Sequence, residues 1–475
     1  MLRNHLLIPV IAAFILIPSL TIASDNCLTG TCHSKVASVI RPHAPVEEGK
    51  CLSCHRREVA EHPAPGKKGF TMVAQGEKLC VTCHEFPGKG EVVHEPAKDG
   101  NCAACHHPHG SNARFLLEIP EERLKNADDI LANGDDLRGL CLTCHDNKPF
   151  KGIHVHSPVS NGNCSLCHNP HRSSEKHLLI GPENSMCLDC HEEIKTSLAT
   201  AGYSHPPLKV SGCTSCHDPH SSNLQYLTKK KLPDLCFDCH KTLQNQLSKV
   251  KNLHKPLTQE RGCGNCHAPH ASKEKKLLPF AEMDLCLNCH GDKKLAPLKD
   301  IRGELKGKKY VHGPIGTGQC TACHDPHGND NFRLLKGPYP ATLYAPYVPG
   351  TYDFCLRCHE KNLLRFAETT VYTKFRNGNR NLHAVHVTNS RKGRSCRICH
   401  EPHASDGPKL TSTEGPRFGS WKIPFRLELT TSGGRCSAGC HVSLDYDRVK
   451  PVVYVHSTSP RFTGISSPKQ GEPAK

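Results

Sequence analysis

Every cysteine in the sequence belongs to a pair that is followed at once by histidine. Thirteen pairs have the spacing C-x-x-C-H. They are Cys51–Cys54–His55, Cys80–Cys83–His84, Cys102–Cys105–His106, Cys141–Cys144–His145, Cys164–Cys167–His168, Cys187–Cys190–His191 and Cys213–Cys216–His217, then Cys236–Cys239–His240, Cys263–Cys266–His267, Cys286–Cys289–His290, Cys320–Cys323–His324, Cys355–Cys358–His359 and Cys396–Cys399–His400. Two pairs have wider spacers, Cys27-x4-Cys32–His33 and Cys436-x3-Cys440–His441. All 30 cysteines are used, leaving none for a disulfide or a thiol nucleophile. Two thiols three residues apart lie on one face of a helical turn, where they can form thioethers with the two vinyl groups of a haem. The next residue, His, then falls under the ring as the proximal iron ligand. One C-x-x-C alone could equally hold zinc or act as a redox dithiol. Thirteen copies without an unpaired cysteine favour haem, and the wider end pairs still finish in Cys-His. The sequence predicts 15 covalent haem c groups.

The other histidines supply candidates for the opposite axial position. Fifteen of the 35 are proximal and His5 lies in the N-terminal apolar segment, which leaves 19. Six follow a motif as x-Pro-His: His109, His171, His220, His270, His327 and His403, with His62 as the counterpart after the Cys51 motif. A second set stands upstream of motifs: His43, His94, His154 or His156, His205, His254, His312, and His383 or His386. Adding His456 after the last motif gives 15 distal candidates, with His107 and His177 as spares. The tally predicts bis-His ligation throughout. Only Met72, Met186 and Met283 follow the N-terminal segment, so potentials raised by Met ligands are not expected. A His three residues after a proximal ligand cannot easily cross to the other face of the same ring, and the intervening Pro fixes the backbone. His220 is therefore expected on a neighbouring haem; the plainer reading is that Pro stops the turn and His caps it.

These sites need a scaffold that the side chains alone would not supply. Met1–Asn4 is a short basic start, Leu6–Ile22 is largely apolar but broken by Pro9 and Pro18, and Thr21-Ile22-Ala23 offers a cleavage site. The pattern predicts a signal peptide over 1–23, rather than an uncleaved anchor, and an exported protein with no membrane span in the mature chain. The remaining 452 residues serve 15 motifs, and the whole chain has only 36% hydrophobic residues and one tryptophan, Trp421. With 37 Gly and 36 Pro, such a composition would ordinarily suggest disorder. Porphyrins would supply the missing apolar matter and tie each segment in place. The expected fold class is a multihaem cytochrome: short α-helices around the motifs, long irregular loops, little β beyond a small C-terminal hairpin, and an elongated chain of two-haem modules. In the hairpin, Ile423, Phe425, Leu427 and Leu429 alternate like a strand that Val452–Val455 could join. Three regions are expected after the signal: 24–90 with three haems, 91–300 with eight in repeated modules, and 301–475 with four and Tyr/Pro-rich insertions. The formal charge of +16 would be offset by haem propionates, so basic clusters do not imply nucleic-acid binding.

The modules repeat. Each has an upstream His, a first motif with x-Pro-His, a basic or Leu-containing spacer, and a second motif usually preceded by Leu; His205–His240 and His254–His290 are the clearest copies. This C-x-x-C-H-x-P-H pattern resembles the doubled-CXXCH multihaem cytochromes. The resemblance implies electron transfer in the periplasm, or at an outer-membrane or extracellular site, in anaerobic or extracellular respiration. It implies redox partners: periplasmic or inner-membrane cytochromes, an outer-membrane porin, or an extracellular cytochrome. A subunit of an extracellular haem filament and a terminal reductase with an open haem are the alternatives. No catalytic residue is assigned. The crowded Tyr339, Tyr344, Tyr347 and Tyr352 suggest either local packing or a docking surface.

Overall fold

The computed structural model describes residues 27–28, 33–60, 62, 65–66, 68–120, 122, 136–291, 298–415, 417–418 and 420–454. The signal-peptide expectation, Cys32 and His456 lie outside them. The chain forms two compact units, one of residues 1–192 and 210–229 and the other of 193–209 and 230–475.

Each unit is built from short pieces. The longest described helices, Glu192–Thr200 and Glu282–His290, have nine residues. No described helix is long and apolar enough to cross a membrane. Gly, Pro and polar residues recur too often for longer runs to close their hydrogen bonds. Most strands are two-residue antiparallel bridges placed by one rule: residues just before an upstream His pair with residues just after the x-Pro-His of the following module. In the first unit these are Arg41–Pro42 with Gly110–Ser111, Val92–Val93 with Arg172–Ser173, and His154–Val155 with Ser221–Ser222. In the second they are Tyr203–Ser204 with Ala271–Ser272, Asn252–Leu253 with Gly328–Asn329, and Tyr310–Val311 with Ala404–Ser405.

The second unit adds a side-chain core, in which Tyr339, Tyr352, Leu364 and Val387 are buried together. Tyr352 is fully buried, and its hydroxyl donates to the Ala345 carbonyl at 2.5 Å. Tyr347 packs against the same cluster, so these tyrosines serve local packing, while Tyr344 remains exposed. The unit also contains an antiparallel three-stranded sheet, Phe425–Leu429, Gly433–Ala438 and His441–Asp447. A strand is present over Phe425–Leu429 and pairs with Gly433–Ala438; of the expected partner, residues 452–454 lie outside any strand and Val455 lies outside the described residues. The near partner wins because Thr430–Ser432 close a tight turn, with Gly433 N donating to Thr430 Oγ1 at 3.0 Å. A Cβ on Gly433 would meet the Tyr446 carbonyl at 1.8 Å, so glycine is needed for that strand approach.

Candidate haem sites

Motifs with the C-x-x-C-H spacing fold into helical turns, the Cys286 motif within the longer helix Glu282–His290. In the first motif of a module this is a 3-10 turn, as at Cys102–Ala104, Cys164–Leu166, Cys213–Ser215 and Cys320–Ala322. The His amide then reaches the first Cys carbonyl: His106 to Cys102 and His168 to Cys164 at 3.0 Å, His217 to Cys213 and His324 to Cys320 at 3.1 Å. The second motifs close the same bond, for example His84 to Cys80, His145 to Cys141, His191 to Cys187, His240 to Cys236 and His359 to Cys355. The last motif differs. Its wider spacer lies at a strand turn, with Cys436 in one strand, His441 opening the next, and a register shift between Cys436 and Ala438.

Each proximal His named below is matched by a second His. Eleven pairs have ring centres 5.9 to 6.3 Å apart with planes 8° to 23° from parallel. In the first unit they are His33–His62, His43–His84, His55–His109, His94–His145, His106–His171, His156–His191 and His168–His220. In the second they are His205–His240, His254–His290, His267–His327 and His312–His359. His386 and His441 stand 6.4 Å apart, tilted by 38°. His403 acts electrostatically on His324, and His400 on His383. Upstream histidines thus face the second motif of their own module, and x-Pro-His residues face the first motif of the module before.

The backbone joins the two sets. His43, His94 and His156 donate their amides to the carbonyls of His109, His171 and His220 at 2.9 Å. His205, His254 and His312 do the same to His270, His327 and His403 at 2.9, 3.2 and 3.0 Å. Ring nitrogens are set as well. Nδ1 of His43, His94, His156 and His254 lies 2.8 to 2.9 Å from the carbonyls of Pro108, Pro170, Pro219 and Pro326. A carbonyl only accepts, so Nδ1 carries the proton and Nε2 keeps its lone pair.

The proximal His of a first motif is held by a device that the sequence reading missed. Nδ1 of His106, His168, His217, His267, His324 and His400 donates to the carbonyl nine residues on, at 2.7 to 3.1 Å. Those acceptors are Phe115, His177, Tyr226, Lys276, Arg333 and Lys409, each followed by Leu, and both residues of every pair have φ between 52° and 59°. Left-handed non-glycine backbone costs about 1–2 kcal/mol per residue, so the turn persists because it is bonded from several sides. The leucine carbonyl also accepts from the residue after the proximal His, as in Asp218 N to Leu227 O at 2.8 Å. The signal was the recurring Leu ten residues after each of these six histidines. In the sequence it stands only as part of a loose spacer.

Burial pushes His109, His171, His220, His205, His290, His312, His324, His327, His386 and His400 below the usual imidazole range. It takes His383 down to about 4. These rings are neutral at pH 7 and free to donate a lone pair.

The cysteines fall into an alternating series. First thiols of successive modules are hydrogen-bond neighbours: Cys80–Cys102, Cys141–Cys164 and Cys187–Cys213 in the first unit, Cys236–Cys263, Cys286–Cys320 and Cys355–Cys396 in the second. Second thiols are electrostatic neighbours within a module: Cys105–Cys144 and Cys167–Cys190, then Cys266–Cys289 and Cys323–Cys358. Cys399 similarly feels Cys436 and Cys440, and Cys80 feels Cys54.

A family model described as the doubled CXXCH motif matches residues 43–88, 94–150, 156–196, 205–245, 254–295, 312–363 and 389–418. The chain belongs to the doubled-CXXCH family. It is similar to the Multiheme cytochrome MtrA of Shewanella baltica (strain OS185), 28% identical over 195 residues. That match covers 36% of this chain and 53% of the relative, so the chain spans about half the length of the curated relative it matches. Six of the doubled-CXXCH matches begin at an upstream His: His43, His94, His156, His205, His254 and His312. The protein is a multihaem c-type cytochrome, and its doubled motifs mark covalently bound haem c.

The residues of this doubled-CXXCH chain fit that group. Two metal–imidazole bonds of roughly 2.0–2.1 Å, with about 1 Å from each nitrogen to its ring centre, add to about 6 Å, the separation found in the pairs. Two open choices from the sequence are resolved by position. His156 faces His191, whereas His154 lies in the bridge to Ser222. His383 and His386 are both engaged, His383 with His400 and His386 with His441. Both project from one helix, Leu382–Val387, whose N-cap Asn381 accepts from the His383 and Ala384 amides. The spares have other contacts: His107 Nδ1 accepts from the His109 amide at 3.3 Å, and the His177 carbonyl holds His168.

Proposed function

We propose that this cytochrome is a periplasmic electron conduit with 15 haems, each held by a proximal and a distal His. Electron transfer is what the multihaem family supports; the count, the ligands and the respiratory setting are our reading. The observation that carries it is the set of eleven near-parallel His pairs about 6 Å apart, each on a different motif. Bound haem supplies an iron that cycles between the ferric and ferrous states. The chain holds imidazoles ready on both sides, so neither oxidation state requires rearrangement. His33, His55, His84 and the other proximal residues hold one face, and their distal partners close the other to exogenous ligands. The alternating cysteine contacts support a path that follows sequence order within each unit, because consecutive motifs share a thiol face. Redox proteins that deliver and accept electrons are the implied partners, and the similarity to the Multiheme cytochrome MtrA favours the periplasm. Intact mass of the purified holoprotein, combined with electron paramagnetic resonance, tests this. Fifteen covalent haems and a uniformly low-spin ferric spectrum are expected. Thirteen haems would remove the two end motifs, and a strong high-spin signal would favour a reductase.

A further inference from the structure

His403 presents its ring nitrogen to a different kind of acceptor from the upstream histidines described above. Its Nδ1 lies 3.3 Å from Glu304 Oε2, where upstream histidines meet peptide carbonyls. The other carboxylate oxygen of Glu304 is bridged to Lys299 Nζ. Glu304 rides on the short helix Ile301–Leu305, started by Asp300, whose side chain accepts from the Gly303 amide at 2.8 Å. That helix is extra chain. Between His290 and the next upstream His312 there are 21 residues, against 13 between His191 and His205 and 13 between His240 and His254.

A carboxylate draws on an imidazole N–H about twice as strongly as a neutral carbonyl. The draw passes through the ring and makes the opposite nitrogen a better donor to a metal. A better donor favours the ferric over the ferrous state. We infer that Glu304 is a positioning residue that lowers the potential of the haem on Cys320–Cys323–His324, with Lys299 moderating the effect. This rests on reading His403 as that haem's distal ligand. The step concerned is one electron arriving from the adjoining haem in the series and leaving to the next, ferric to ferrous and back, with no proton moved and no bond broken. A lowered site inside the series is an uphill step for electrons in transit, so it sets how readily charge accumulated on one side reaches the other.

Three variants of the full-length holoprotein test this in a redox titration followed by electron paramagnetic resonance. In His403→Ala one haem should become high-spin, which identifies its component in the spectrum. In Glu304→Gln every haem should stay low-spin and that component alone should shift to higher potential. Lys299→Met removes the competing cation, so the same component should shift to lower potential. A merely structural role for Glu304 would not give opposite signs. The inference is overturned if His403→Ala produces a high-spin haem yet Glu304→Gln moves no midpoint, or if Lys299→Met shifts that haem upward. If His403→Ala yields no high-spin haem, the ligand reading itself fails and the inference falls with it. Should Glu304→Gln not mature, the sign of the shift in Lys299→Met decides.

Discussion

The repeated modules and the C-terminal stretch from Tyr339 to Asp447 reach the same end by different means. In a module such as His254–His290, almost no large side chain is buried, and the histidines are held by peptide carbonyls and two-residue bridges. The C-terminal stretch has an aromatic core, a true sheet and a capped helix carrying two facing histidines. A module such as the one at Cys102 has a facing histidine from the module after it, His171 opposite His106. At the Cys396–Cys436 pair, His383 and His386 come instead from one helix, and that helix needs a core to stand on; Val387 is part of it. A borrowed ligand needs little core, whereas a home-made one needs a good deal.

The largest effect should come from breaking that substitution. His383→Ala combined with His386→Ala should open two haems, seen as two high-spin ferric equivalents, while His156→Ala opens one and His154→Ala none. If His456→Ala opens a haem while His386→Ala does not, the contrast collapses. Next in size is the core. Tyr352→Ala removes a fully buried aromatic and should cost about 3–5 kcal/mol, read as a lowered Tm. Tyr226→Ala in a module, at a ring 83% exposed, should stay within about 0.5 kcal/mol. The smallest effect sharpens the module side. Lys276→Gly relieves left-handed strain of about 1–2 kcal/mol but pays glycine's extra entropy of roughly 0.5–1 kcal/mol. A net gain of about 0.5–1 kcal/mol is expected in denaturant unfolding, with the haem spectrum unchanged.

Covalent haem on the doubled motifs was legible in the sequence because thioether chemistry dictates its own spacing. The sheet was half legible: Phe425–Leu429 announces itself by alternation, but a partner chosen by the turn at Thr430–Ser432 leaves no periodic trace. For the distal histidines the sequence offers candidates and a count, and leaves two positions open. His154 and His156 share an upstream position, and only the bridge register, with His154 opposite Ser222, separates them. The tether argument correctly sent His220 away from its own ring, but its partner is His168, two motifs back. Hydrogen bonds to main-chain atoms arranged that reach, and those depend on backbone shape more than residue type. The six Xaa-Leu turns were invisible for the same reason, since their working atom is a carbonyl that every residue possesses.

The x-Pro-His reach has one more consequence. Since within each unit a module faces a site begun by its predecessor, each unit is fastened like a row of stitches, in which one loop is locked by the next. Maturation from the N-terminus would then leave a single unlocked site travelling at the growing end of a unit. A truncation between two modules of one unit should leave one frayed haem at the cut.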